Sequence, residues 1–321
     1  MHKKLSRLVR GICILLIVST IAAASYADDA ALKVAITQIV EHPALDSTRQ
    51  GIVDEIKEQN ADVSIEYENA QGSIPTAIQI GQKFLSMKPS LIVAISTPSA
   101  QAVLRGDEGV PIVFAAVSNP DAAGLTYKEV RTFVTGTTDL PPVDAQLSFA
   151  QELFPQAKKV GVIYNSGEAN SASFIGQLKK ECLKAKLELI ESVVTKSSDV
   201  SAAVTKIVSS GVDFILLPQD NTVVSALDAV LRATTAAHIP IVASDTDLIV
   251  KGVFAAVGYS RYEAGRETGK MVMDVLRGVP VRDIPIHPAG KLKKIINMNL
   301  KQVLGKEIPE SILKQYELFR E

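Results

Sequence analysis

The feature that most constrains this chain is a strand–turn–helix unit that occurs twice. Residues 214–217 are an apolar run of the kind that fills a buried parallel strand. A polar turn follows, after which Val223, Ala226, Leu227, Val230 and Leu231 recur at helical spacing. Asp220 or Asn221 is placed to cap that helix. Its first N–H groups then point into the crevice beyond the strand's carboxyl end, where open α/β sheets bind ligands. An earlier copy has the apolar strand 91–95, the turn Ser96-Thr97-Pro98-Ser99, a cap at Ser96 or Thr97, and proline just inside the helix. Each copy continues to a second strand opened by proline, 111–114 and 240–243, and ending in a polar turn, 118–120 and 244–247. One α/β half-domain used twice would turn two helix N-termini towards one ligand.

Residues 1–27 read as a targeting segment. Lys3, Lys4, Arg7 and Arg10 precede an apolar stretch at 11–24 and a small-x-small cleavage site at 25–27. The apolar run is short for a membrane span of about 20 residues, so export with cleavage to a periplasmic or otherwise extracytoplasmic site is expected. Removing those 27 of 321 residues leaves 294, more than one core of roughly 250–300 residues comfortably supports, so two lobes are expected. Removing four of the 34 bases leaves 30 against 35 acids, a net −5 unsuited to nucleic acid or anionic lipid. Cys182 is then the single cysteine, which excludes an intramolecular disulfide; its helical context suggests a buried structural thiol.

Along the chain, strands are read at 32–36, 63–69, 159–164, 187–194, 253–257 and 293–298 in addition to the repeated pairs. Helices are read at 44–59, 74–87, 199–208, 261–276 and 309–316. No low-complexity linker separates the lobes. The reading divides the chain into lobe 1 at 28–138 plus 252–288 and lobe 2 at 139–251 plus 289–321. Crossings between them are expected near 136–140, 244–252 and 286–291. The fold class is therefore α/β, two doubly wound Rossmann-like lobes joined by a three-segment hinge.

Several chemistries find no support. His42, His238 and His287 lie far apart with no metal-ligand spacing, and Asp245-Thr-Asp247 starts like a calcium loop but lacks the later ligands. Gly265-Arg-Glu-Thr-Gly269-Lys270-Met271 imitates a phosphate loop, yet one residue is missing between the glycines and Met271 replaces the Ser or Thr. Small residues for helix packing are the simpler reading there. No GxSxG elbow is present, so no catalytic residue, metal or cofactor is assigned. What remains is a set of polar turns at strand ends. Ser96, Thr97 and Ser118 supply hydroxyls in lobe 1; Glu168, Asp220 and Asp245 supply acids in lobe 2. Donors opposite carboxylates suit a zwitterion, the α-carboxylate on the hydroxyls and free N–H groups, the α-ammonium on the acids.

Seven stretches carry a resemblance that spans nearly the whole mature chain: 36–45, 67–72, 96–101, 111–116, 161–171, 220–225 and 265–270. The chain resembles the substrate-binding proteins of ABC transporters with the type I periplasmic-binding-protein fold, in the subfamily associated with tryptophan and other aromatic amino acids. That resemblance implies closure of two lobes over one small ligand, most simply an aromatic amino acid, delivery to a membrane permease, and a monomer without enzymatic activity. It places the ligand carboxylate at Ser96 and Thr97 and the ammonium at Asp220 and Asp245. Thr37 and Gln38 in the first strand's exit loop, Ser118, the turn Glu168-Ala-Asn170-Ser171 and Asn221 complete the expected site. Ser118-Asn119 stands where Thr-Asp is expected, and Lys186 where a glycine is expected. A nucleoside or sugar receptor, or an exported α/β hydrolase, are the alternatives; sugars usually stack on aromatic rings, and those are 5% of this chain.

Overall fold

Apolar strands followed by polar turns assemble into two sheets with one repeated topology. The computed structural model describes residues 32–105, 109–140, 143–303, 305 and 308–320. The targeting segment read at 1–27 lies outside them. The chain opens with β1 (Lys33–Gln38), α1 (Pro43–Gln59), β2 (Ser64–Asn69), α2 (Ile74–Ser86), β3 (Leu91–Ile95), α3 (Thr97–Leu104), β4 (Ile112–Val117) and β5 (Val134–Thr138). These strands pair in parallel in the order β2-β1-β3-β4-β5. It continues through α4 (Val143–Leu153), β6 (Lys159–Asn165), α5 (Ala169–Ala185), β7 (Glu188–Val194), α6 (Val200–Ser209) and β8 (Phe214–Leu217). Next come α7 (Asn221–Val224), α8 (Leu227–Ala236), β9 (Ile241–Ala243) and β10 (Ala255–Gly258). The second set repeats the order of the first, β7-β6-β8-β9-β10. In each sheet the order reverses beside the first strand, which opens a ligand crevice at the carboxyl ends.

The remaining elements close the edges. After α9 (Arg261–Leu276), the two-residue β11 (His287–Pro288) pairs with β5. Then β12 (Lys293–Asn297) runs antiparallel to β10, and β13 (Glu317–Phe319) runs parallel to β12. The helices that follow the two fifth strands are exchanged. The one after β5, α4, packs on α5 and β10, whereas α9, after β10, packs along α1.

Sequence reading put the strand near 253–257 in lobe 1, and the structure corrects this. β10 pairs with β9 through Ala255–Val242 and Ala256–Ala243, and with β12 on its other side. Its four residues are all buried, so it needs a neighbour on each side, and the edge beyond β5 is taken by β11. The second crossing consequently lies between Gly258 and Arg261 rather than at 244–252. A second correction concerns the helix after β8, read as continuous but broken into α7 and α8. At the break, Ala226 N–H bonds to Val223 O and Ser225 Oγ turns back to Thr222 O, so the ladder tightens from i−4 to i−3.

The phosphate-loop look-alike is a helix interface. A Cβ on Gly265 would overlap the carbonyl oxygen of Thr48, and one on Gly51 would overlap that of Tyr262. The two helices therefore touch backbone to backbone at Gly51 and Gly265, an approach no larger residue permits, and Gly269 packs against the stem of the Glu55 side chain. Cys182 is buried within α5 and burial pushes its thiol up to about 11, a structural thiol rather than a nucleophile. Lys186 ends α5 in the left-handed conformation, φ 54°, usual for a helix-terminating glycine. Phe114 is wholly buried in the first lobe's core.

Candidate functional site

The helix caps read from sequence are present. Ser96 Oγ accepts from Ser99 N–H at 3.4 Å, and Asp220 Oδ1 accepts from Val223 N–H at 2.8 Å. Ser96 sits at φ 91°, a region costly for a residue with a side chain, at the turn that starts α3. Ala116 also takes positive φ, 52°, where the β4–β5 register shifts. That bulge turns Ala116 and Ser118 towards the second lobe, and both line the cavity between the lobes.

Among the described residues, side-chain hydrogen bonds join the lobes across the crevice. Ser118 Oγ donates to Gln219 Oε1 at 2.6 Å, Asn119 Nδ2 donates to Ser173 Oγ at 2.8 Å, and His42 Nε2 meets Asn221 Oδ1 at 3.5 Å. Their roles at His42 follow from its other nitrogen. Nδ1 accepts from Leu45 N–H to cap α1, which leaves the proton on Nε2 for Asn221. Burial holds His42 near 4, with the positive charge of Arg261 adding to the effect and the Asn221 bond opposing it, so the ring is neutral at physiological pH.

Behind this seam lies a space with room for one group the size of a water molecule, about 10 Å³ for the centre of such a sphere. His42, Ala116 and Ser118 wall it from lobe 1; Asn170, Gln219 and Asn221 wall it from lobe 2. Asp139 and Arg261, beside two of the crossings, and Asp245, just beyond the end of β9, close it. Arg261, like Asp139 and Gln219, is a residue that sequence reading missed. Its guanidinium, 3% exposed, pairs with Asp139 Oδ2 through Nη1 and with Asp245 Oδ1 through Nε and Nη2. Burial lowers Arg261 to about 9, which leaves it charged at neutral pH. Burial, and then the charge of Asp247, push Asp245 well above its ordinary value, while a hydrogen bond from the Gln219 side chain works against that. Asn221 also borders an outer cavity of about 420 Å³, walled by Ile39, Ile74 and Pro98 on one side and Gly167, Thr195 and Lys196 on the other.

The expected acids divide into two groups. Asp245 reaches the inner space, but Glu168 and Asp220 are taken up by the protein's own donors. Glu168 accepts from the N–H groups of Asn221 and Thr222, from Thr222 Oγ1, and from the amides of Asn170 and Asn221. Asp220 accepts from Val223 N–H, from Asn165 N–H at 2.6 Å and from Ser171 Oγ at 2.6 Å. Burial, with the nearby charge of Glu168, raises Asp220 to about 7. Ser171 thus serves Asp220, while Asn170 and Asn221 line the inner space. In lobe 1, Gln38 donates to Val40 O and Asp46 Oδ1. Thr37 Oγ1, Gln38 Oε1 and Thr97 Oγ1 are buried at strand ends with no partner, and so are Asp139 Oδ1 and Asn170 Oδ1. Thr138 Oγ1, at the end of β5, is likewise unpaired. Buried polar atoms are paired in the great majority of cases, so these atoms at the carboxyl ends and crossings are the candidates for ligand contact.

Two α/β lobes of identical strand order, linked by three crossings with a polar, enclosed space between them, define a two-lobed ligand receptor of the periplasmic-binding type. The chain belongs to the ABC transporter substrate-binding protein family, whose model matches residues 33–317. Proteins of that family are normally extracytoplasmic, and no helix among the described residues is long and apolar enough to cross a membrane. A tyrosine-binding protein from Clostridioides difficile is 34% identical over 277 residues, covering 84% of this chain and 80% of that protein. A Streptococcus protein in complex with L-Trp superposes with a TM-score of 0.84 at 31% identity, over 89% of this chain and 99% of that one. A ligand-free, open substrate-binding protein from Clostridium difficile superposes at only 0.65 despite 35% identity, over 90% of this chain and 99% of that one. Identity does not explain that difference. The lobes of this chain therefore sit as in the liganded relative, in agreement with the bonds that cross the crevice.

Proposed function

We propose that this protein captures an aromatic amino acid between its lobes outside the cytoplasm and hands it to an ABC permease, without transforming it. The observation that carries the reading is the set of unpaired buried atoms at the strand ends and the crossing. Hydroxyls wait at Thr37 and Thr97 in lobe 1, with the acceptor Gln38 Oε1 beside them, and oxygen acceptors wait at Asp139 and Asn170 around the inner space. A zwitterion completes both sets, its carboxylate on the free hydroxyls of Thr37 and Thr97, its ammonium on the acceptor side. The outer cavity, with Ile39, Ile74 and Pro98 on one wall, offers an apolar face for an aromatic ring. Support for the aromatic class also comes from the relatives, one a tyrosine-binding protein and another bound to L-Trp. Removal of residues 1–27 on export leaves a monomer that closes by rotation at the crossings near 139–140, 259–260 and 289–292.

A thermal-shift screen of amino acids, nucleosides and sugars tests this. L-tyrosine or L-tryptophan should raise the melting temperature, with stabilisation near 2.7 kcal/mol at a hundredfold excess over the dissociation constant. A shift with sugars or nucleosides alone would remove the amino-acid reading.

A further inference from the structure

Asp139 is not among the residues the sequence pointed to, yet it is 2% exposed and lines the inner space. Its Oδ2 is tied to Arg261, while its Oδ1 is buried with no partner. Asn170, 5% exposed, lines the same space. The orientation of its amide is set by its own donor, since Nδ2 gives bonds to Gln219 O at 2.8 Å and Glu168 Oε2 at 3.1 Å. Oδ1 of Asn170 is therefore an acceptor, and it too is unpaired. Asp245 is different, because its Oδ1 already takes two donors from Arg261. The space holds one group the size of a water molecule, which is the size of an ammonium head. Two unpaired acceptors, one of them on a carboxylate paired to Arg261 by its other oxygen, and room for one small donor describe a site for a cationic head with hydrogen-bonding demands.

We infer that the ligand's α-ammonium binds between Asp139 Oδ1 and Asn170 Oδ1, with Arg261 as the positioning residue that holds Asp139 by its other oxygen. This rests on the amino-acid reading and deepens it, by moving the ammonium partner from Asp245 to Asp139. It also puts the ligand's charge at the crossing between β5 and α4, so that the ammonium joins a hinge strand to lobe 2 on closure.

The test is titration calorimetry with L-tyrosine and L-tryptophan, each against its des-amino acid, 3-(4-hydroxyphenyl)propionate and 3-indolepropionate. The wild-type protein should prefer the amino acid by roughly ten- to a hundredfold, the worth of one charge-assisted hydrogen bond. In Asp139→Asn that preference should fall below about threefold, whereas Asp245→Asn should weaken both ligands and keep the preference. An unchanged preference in a folded Asp139→Asn protein overturns the assignment. If that variant does not fold, Asn170→Ala carries the test, with a reduced preference expected and an unchanged one fatal. Wild-type protein that binds neither amino acid sinks the amino-acid reading and this assignment together, and shows it before any variant is made.

Discussion

Acidification should open the lobes, and His42 is the group that makes it so. The ring is buried in the seam, faces Asn221 of the other lobe, and is held near 4 rather than its ordinary 6.5. Protonation would break the α1 cap, since Nδ1 could no longer accept from Leu45 N–H, and would set a charge beside Arg261. A depressed value in the closed state means that closure is at full strength above 6.5 and weakens as pH falls towards 4. If opening returns the ring to 6.5, the linkage relation gives about a thirtyfold loss of affinity between pH 8 and pH 5, near 2 kcal/mol. Over pH 5–7 the α-groups and phenol of L-tyrosine keep their charge, so the ligand contributes no slope of its own. Calorimetric titrations at half-unit steps of pH read the effect directly. His42→Asn preserves a helix cap and removes the titration, so its affinity should be nearly flat over the same range. Flat affinity in the wild-type protein, or an equal loss in His42→Asn, would refute the reasoning.

Global stability should respond to pH differently from affinity. Asp220 has all its partners within lobe 2, and its value is raised from 3.8 to about 7, so its contribution is full below pH 4 and is lost as pH rises through 7. His42 has the opposite slope in nearly the same window, and in urea unfolding the two should largely cancel. Asp220→Asn should therefore make stability climb with pH by up to about 1 kcal/mol per unit between 4 and 6.5; an unchanged profile would count against the raised value. Gly265→Ala should cost about 1–3 kcal/mol, because α1 and α9 must separate to clear the Thr48 carbonyl. A melting temperature equal to that of the wild-type protein would show that the helices can part freely.

What sequence alone determined is local. Apolar runs ending in Ser96-Thr97-Pro98 and in Gln219-Asp220-Asn221 declared strands, turns and caps, because a cap depends on a few neighbouring residues and a helix on its own periodicity. The resemblance then brought lobes, family and ligand class. Three things were decided only by tertiary structure. β10 went to the second sheet because a strand buried on both faces needs two neighbours, and its amino-acid pattern is the same whichever sheet supplies them. Glu168 and Asp220 were as plausible for a ligand as Asp245 until folding showed which carboxylates were already bonded by backbone N–H groups. The cluster of Asp139, Asp245 and Arg261 unites residues 122 positions apart at its extremes, and no spacing in the chain announces it. Arg261 looked like the opening of an ordinary amphipathic helix. It became the centre of the candidate site because burial raises the cost of any unpaired charge, and a buried guanidinium must find carboxylates wherever the fold brings them.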